Sequence, residues 1–188
     1  MRTSRLLLII DPQIDFISGS LPVEGAAEAM DRLADYLDKA KDNYDYCVVT
    51  TDWHPFSHCS FDTQGGQWPV HCVKNTVGAA IYPALIAPLF GRDVPAEVLR
   101  KGVYPHIEEY SIFKNTASAQ RLQHLVRTLD IDTIDICGIA GDVCVLDTLK
   151  DGLACLGNIF RVLTAFCPSL DGGKALSDFI QQNNIAHD

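Results

Sequence analysis

Residues Leu6–Ile10 form an unbroken apolar run that stops at Asp11-Pro12. A strand that is apolar at every position has to be covered on both faces, as in a parallel sheet flanked by helices. The pattern recurs along the chain. Residues 46–51, 97–100, 133–139 and 159–163 read as further strands. Between them apolar residues return at helical spacing, as in Ala26, Met30, Leu33, Leu37 and Ala40, and again in Ala119, Leu122, Leu125, Val126 and Leu129. Residues 143–153 and 173–182 read as later helices, and 79–90 as a short one. Strands that alternate with helices predict an α/β fold of three layers, α/β/α, around a mainly parallel, Rossmann-like sheet. No repeat, low-complexity tract or linker interrupts the 188 residues, so a single domain over 1–188 is expected.

Charge narrows the partners. The chain has 24 acidic and 15 basic residues, a formal net charge of −9. That balance argues against nucleic-acid binding and against a polybasic membrane contact. No apolar run approaches the roughly 20 residues of a membrane span. Arg2 and Arg5 before the first apolar run resemble a secretory leader, but the run is too short. A cytoplasmic location is expected. The seven cysteines are odd in number and include no Cys-x-x-Cys, which speaks against a disulfide framework or a four-cysteine zinc site.

Reactive side chains gather at the carboxyl ends of the strands, where ligands bind in open α/β sheets. Asp11 follows the first strand, Asp52 and His54 the second, Lys101 the third, and Cys144 the fourth, after the bend Ala140-Gly141-Asp142. Asp142 as a helix cap would place Cys144 near a helix N-terminus, where free N–H groups favour a thiolate and can receive an oxyanion. Asp11 can take the thiol proton, and Lys101 can hold the resulting charges.

Residues 52–78 form a long connection that holds three of the six histidines, and such long loops are usually functional. Asp52 and His54 lie two apart on an extended segment and so point to one side. With His58 and His71 they make a carboxylate–imidazole set suited to one divalent metal ion, zinc first, with manganese or iron as alternatives. Phe16, Trp53 and Trp68 lie close in sequence to Asp11, His54 and His71 and could wall a flat aromatic ligand.

Together these segments resemble the isochorismatase-like cysteine hydrolases, in their nicotinamidase/pyrazinamidase branch. The residues that carry the resemblance are Asp11-Pro12-Gln13-Ile14-Asp15-Phe16, the stretch from Asp52-Trp53-His54 to His58-Cys59-Ser60-Phe61, Trp68-Pro69-Val70-His71-Cys72, Arg100-Lys101-Gly102, and Gly138-Ile139-Ala140-Gly141-Asp142-Val143-Cys144. It extends from Leu7 to about Ile185. Gly141 and Val143 stand where the family usually has Thr and Tyr, Ile14 where Asn is common, and Lys74-Asn75 where Gln-Gly is usual. None of these changes removes a group that does chemistry.

The resemblance implies a metal-dependent amidohydrolase that converts nicotinamide and pyrazinamide-like amides to the acid and ammonia through a thioester on Cys144. Asp11 is then the proton carrier and Lys101 the charge stabiliser. The backbone N–H groups of Ala140 and Cys144 form the oxyanion hole, beside a cis peptide at Ile139-Ala140. Asp52, His54 and His71 hold the metal, with His58 as a further ligand, and Phe16 and Trp68 sandwich the substrate ring. The expected partner is a small aromatic amide, and the family includes both monomers and homo-oligomers. The competing readings are a related amidase acting on an N-carbamoyl or other small amide, a metallohydrolase in which Cys144 is structural, and a non-catalytic nucleotide-binding module. The last is disfavoured because no Gly-x-Gly-x-x-Gly follows the first strand.

Overall fold

The computed structural model describes residues 3–40, 43–91 and 93–188, so Met1 and Arg2 of the leader-like start lie outside the described residues. Strand β1 (Arg5–Ile10) is followed by a single helical turn, α1 (Ile14–Ile17), and by α2 (Ala26–Lys39). Then come β2 (Tyr46–Asp52), α3 (Ile86–Phe90), β3 (Ala96–Lys101), α4 (Thr116–Thr128) and β4 (Thr133–Gly138). The chain ends with α5 (Leu146–Leu156), β5 (Phe160–Val162), α6 (Lys174–Gln182) and β6 (Ala186–His187).

All strand pairs are parallel, in the order β3-β2-β1-β4-β5-β6. Given this order, the right-handed rule for parallel crossovers assigns α2 and α3 to one face of the sheet and α4, α5 and α6 to the other. Leu6 to Ile10 are wholly buried, as a strand covered on both faces must be. Helix α2 turns Ala26, Ala29, Met30, Leu33 and Leu37 inward, while Lys39 falls in its last turn. Each large side chain buried this way contributes about 1.5–3 kcal/mol.

The strand order reverses between β1 and β4, and the crevice at such a switch point is where ligands bind. Gly138 makes this junction close. Its φ is +124°, and a Cβ there would stand 2.1 Å from the Ile10 carbonyl oxygen. Only a glycine lets the end of β4 lie so tightly against the residue that precedes Asp11.

Three features depart from the sequence reading. Helix α5 begins at Leu146, preceded by a π-turn over Gly141–Val145. Asp142 is therefore not an N-cap. Its carboxylate instead accepts the N–H groups of Leu170 (3.0 Å) and Asp171 (3.1 Å). The short helix expected over 79–90 is a 3₁₀ turn at Pro83–Leu85 running into α3. Strand β6 was not anticipated, because two exposed residues carry no hydrophobic signal. Among the described residues no helix is long and apolar enough to cross a membrane.

Candidate active site

Asp11 is the first residue beyond β1, wholly buried and held at φ +46°. Asp52 and Lys101 end β2 and β3 as direct register partners, which puts their side chains on the same face. The Lys101 ammonium lies 2.8 Å from Asp11 Oδ2 and 2.6 Å from Asp52 Oδ1, and donates to Cys144 Sγ at 3.5 Å. Thr50 donates to Asp11 Oδ1 at 2.6 Å. Four sequence-predicted residues thus meet at one buried ammonium. Burial of so much charge is tolerated because each group has an opposite partner, and removing one typically costs about 3–5 kcal/mol.

The electrostatics follow from that arrangement. Burial pushes the Asp11 carboxyl up, and Lys101 opposes the shift. Burial also opposes the charge on Lys101, yet Asp11 and Asp52 keep its pKa well above the usual lysine range. Burial pushes the Cys144 thiol well up, against the pull of Lys101. The sulfur thus lies beside a carboxyl group, Asp11, that can exchange a proton with it.

Cys144 lies inside the π-turn and not on the first turn of a regular helix. Single π-turns of this kind recur at functional sites. The Ala140 carbonyl accepts from Val143 (3.2 Å) and Val145 (3.1 Å), and Gly141 N–H donates to Pro168 at 2.9 Å. The Ile139-Ala140 peptide is cis.

Asp52, His54 and His71 offer ligand atoms that all lie within 4.8 Å of one another, and all three residues are buried. His54 Nδ1 donates to the Gly102 carbonyl at 2.9 Å, and His71 Nδ1 to that of Pro69 at 2.7 Å. Carbonyl partners fix the proton on Nδ1, which leaves the Nε2 lone pairs free for a cation. A Cβ on Gly102 would meet the His54 ring at 2.3 Å, so the approach needs glycine. Burial lowers the His71 pKa, toward the neutral form a ligand needs, whereas His54, though buried too, is pushed up by Asp52 in the absence of a cation. The donor set therefore fits a divalent metal ion.

His58 is not brought into this set. Its ring stacks on His54 with centroids 4.0 Å apart, but both nitrogens are engaged. Nδ1 accepts from Ser60 Oγ at 2.7 Å and Nε2 donates to the Ile107 carbonyl at 3.1 Å. Burial lowers its pKa to about 4. In this arrangement His58 fastens the 52–60 segment to the loop after β3.

A cleft opens at Cys144, lined by Phe16, Trp68, Asp52, His54, His71 and Ala140. Phe16 packs against His71 at 5.4 Å between centroids. Trp53 belongs elsewhere, with the Arg100 guanidinium 4.0 Å above its ring. Val143, a departure from the family pattern, also lines it, and Glu108, Tyr110 and Leu170 do so without having been anticipated. Two supporting residues lay unread within the first motif. Gln13 accepts from Asp52 N–H at 2.7 Å and donates to Asp52 and Ala79 carbonyls at 2.8 and 2.9 Å. Asp15 accepts from Cys72 N–H at 2.7 Å, which fixes the segment that carries His71. Their signal was proximity to Asp11.

Comparison with known proteins identifies relatives of the whole chain. The chain is 32% identical over 201 residues to the nicotinamidase of Escherichia coli (strain K12), covering 97% of this chain and 88% of that one. The pyrazinamidase of Pyrococcus horikoshii, solved in complex with zinc, superposes with a TM-score of 0.82 at 29% identity, covering 98% of each chain. PnC1 from L. infantum, solved in complex with nicotinate, gives a TM-score of 0.85 at 31% identity, covering 100% of this chain and 93% of that one. The isochorismatase domain matches residues 5–155, the stretch that supplies every residue gathered around Lys101, and the chain belongs to the isochorismatase family.

Proposed function

We propose that the protein is a metal-dependent cysteine amidohydrolase that converts nicotinamide, and similar aromatic amides such as pyrazinamide, to the carboxylic acid and ammonia. The observation that carries this reading is the Lys101 ammonium, which contacts Asp11, Asp52 and Cys144 beneath an aromatic-walled cleft. The activity of the E. coli relative and the nicotinate complex of the L. infantum relative support the substrate class. Zinc is the metal we assign, since it suits two imidazoles and a carboxylate and is held by the P. horikoshii relative.

The chain's own residues then act as follows. Asp11 takes the Cys144 proton as the sulfur attacks the carboxamide carbon. A C–S bond forms, and the C=O pair moves onto oxygen. The N–H groups of Ala140 and Cys144 receive that charge. Collapse breaks the C–N bond, and Asp11 returns the proton to the departing nitrogen. Water next gives a proton to Asp11 while its oxygen attacks the thioester carbon. The C–S bond breaks, the acid leaves, and the proton on Asp11 returns to sulfur. Lys101 stays charged throughout and offsets the thiolate. Asp52, His54 and His71 would hold the metal, which supplies a Lewis acid for the ring nitrogen and so orients the ring. Phe16 and Trp68 would pack on its faces.

The test is ammonia release from nicotinamide by the zinc-loaded protein, beside Cys144→Ala and a chelator-stripped sample. Release that vanishes in the variant and falls on stripping is the expected result. Release that survives in Cys144→Ala would overturn the thioester route in favour of a metal-activated water.

A further inference from the structure

Tyr110 belongs to no motif in the sequence, yet it stands where two cavities meet. Together with Glu108 it lines both the reaction cleft and a neighbouring recess bordered by Ser111, Lys114, Asp147 and Lys150. The two spaces differ in chemistry. The cleft is walled by Phe16, Trp68 and Val143, whereas the recess holds the ion pairs Lys114–Asp151 (3.3 Å) and Lys150–Asp147 (3.0 Å). The half-buried Tyr110 ring is part of the partition between them.

Its hydroxyl has a second task. Tyr110 Oη accepts from Trp68 Nε1 at 3.0 Å and from Gln67 Nε2 at 2.8 Å. Trp68 is otherwise held at this point by backbone pairing to Ser60 and Asp62, which leaves the indole's rotation to be set by its own N–H. The polar tip thus holds Trp68 while the apolar body of the ring faces the two cavities.

We propose that Tyr110 is the specificity-determining wall of the cleft: its ring limits substrates to single-ring amides, and its hydroxyl sets the plane of Trp68. This rests on the amidase reading above. In that setting Tyr110 is a positioning residue and takes no part in proton transfer. Shortening the side chain joins the cleft to the recess and admits a fused second ring. Removing only the hydroxyl leaves the partition in place and loosens Trp68.

The experiment compares kcat/KM for nicotinamide with that for quinoline-3-carboxamide in zinc-loaded wild type, Tyr110→Phe, Tyr110→Leu and Tyr110→Ala. The quinoline-to-pyridine ratio should rise by about tenfold or more in the Leu and Ala variants, equivalent to one well-placed contact. Tyr110→Phe should keep the wild-type ratio while its KM rises about five- to tenfold for both amides, the worth of one hydrogen bond. If Tyr110→Ala does not fold, Tyr110→Leu carries the test. An unchanged ratio in the shortened variants overturns the proposal, and so does a Tyr110→Phe ratio that moves with theirs. Should wild type hydrolyse neither amide, the amidase reading fails on its own, and the wall is judged from the relative binding of pyridine-3-carboxylate and quinoline-3-carboxylate by the same variants.

Discussion

Toward the amino ends of the strands, Asp135 is a fully buried carboxylate far from any of the chemistry above, and it is answered as thoroughly as the charges around Lys101. It accepts from Arg5 (2.6 Å), from Arg161 through two nitrogens (2.8 and 2.6 Å) and from the Tyr44 hydroxyl (2.7 Å), which also meets the Tyr36 hydroxyl at 2.8 Å. Burial, reinforced by Asp135, pushes the Tyr44 phenol far above its ordinary value of 10. The folded pKa is raised, so the phenol's contribution to stability is whole below pH 10 and is lost as pH rises beyond it. Tyr44→Phe should therefore flatten the alkaline limb of the stability curve. At pH 7 it should also cost about 1.5–3 kcal/mol for the lost bond to a charged group. Urea unfolding at pH 7 and above pH 10 measures both, and an unchanged alkaline limb would refute the account. At this scale there are contacts that no motif displays. His58 shares a motif with Asp52 and His54, but Ser60, two residues on, supplies the hydroxyl that occupies its Nδ1. Spacing along the chain reveals neither that contact nor the Ile107 carbonyl on the other nitrogen.

At the scale of elements, the junction of β1 and β4 sets the relation between Asp11 and Cys144. Gly138→Ala would drive a methyl into the Ile10 backbone at a φ of +124°. Such a change should destabilise the protein by about 3 kcal/mol or more, with the strain concentrated beside the site. The denaturation midpoint reports the loss, and a midpoint within error of wild type would show that the junction can yield. The strands around this junction were legible because burial on both faces leaves them apolar throughout. The π-turn was not. Asp142 has the chemistry of a cap and stands where a cap would, but its carboxylate is drawn to the N–H groups of Leu170 and Asp171. The segment Gly102–Ser111 was equally silent. It has no periodicity, and it brings Glu108 and Tyr110 to the cleft through side-chain anchors that no pattern displays, such as Glu109 accepting from Gly102 N–H at 2.6 Å and from Asn115 at 3.1 Å.

For the molecule as a whole, the site draws on the carboxyl ends of β1, β2, β3 and β4, so a cation held by Asp52, His54 and His71 ties the long 52–78 connection to the sheet. Binding to the folded state alone stabilises it by about 2.7 kcal/mol at a hundredfold excess over Kd. Zinc should therefore raise the melting temperature of the chelator-stripped protein. His71→Ala should abolish most of that rise, whereas His58→Gln should retain it, since His58 lies outside the set. A His58→Gln protein that no longer responds to zinc would restore His58 as a ligand.

Asp52 offers one oxygen to Lys101 at 2.6 Å and stands in the cation set with its other. One carboxylate therefore serves two centres, and this limits how such a chain can diverge. A descendant cannot shed the metal by changing Asp52 without also removing one of the two carboxylates that answer the buried ammonium. Losing the histidines first avoids that cost, so lineages that abandon the cation should pass through forms in which Asp52 survives beside Asp11 as a counterion of Lys101.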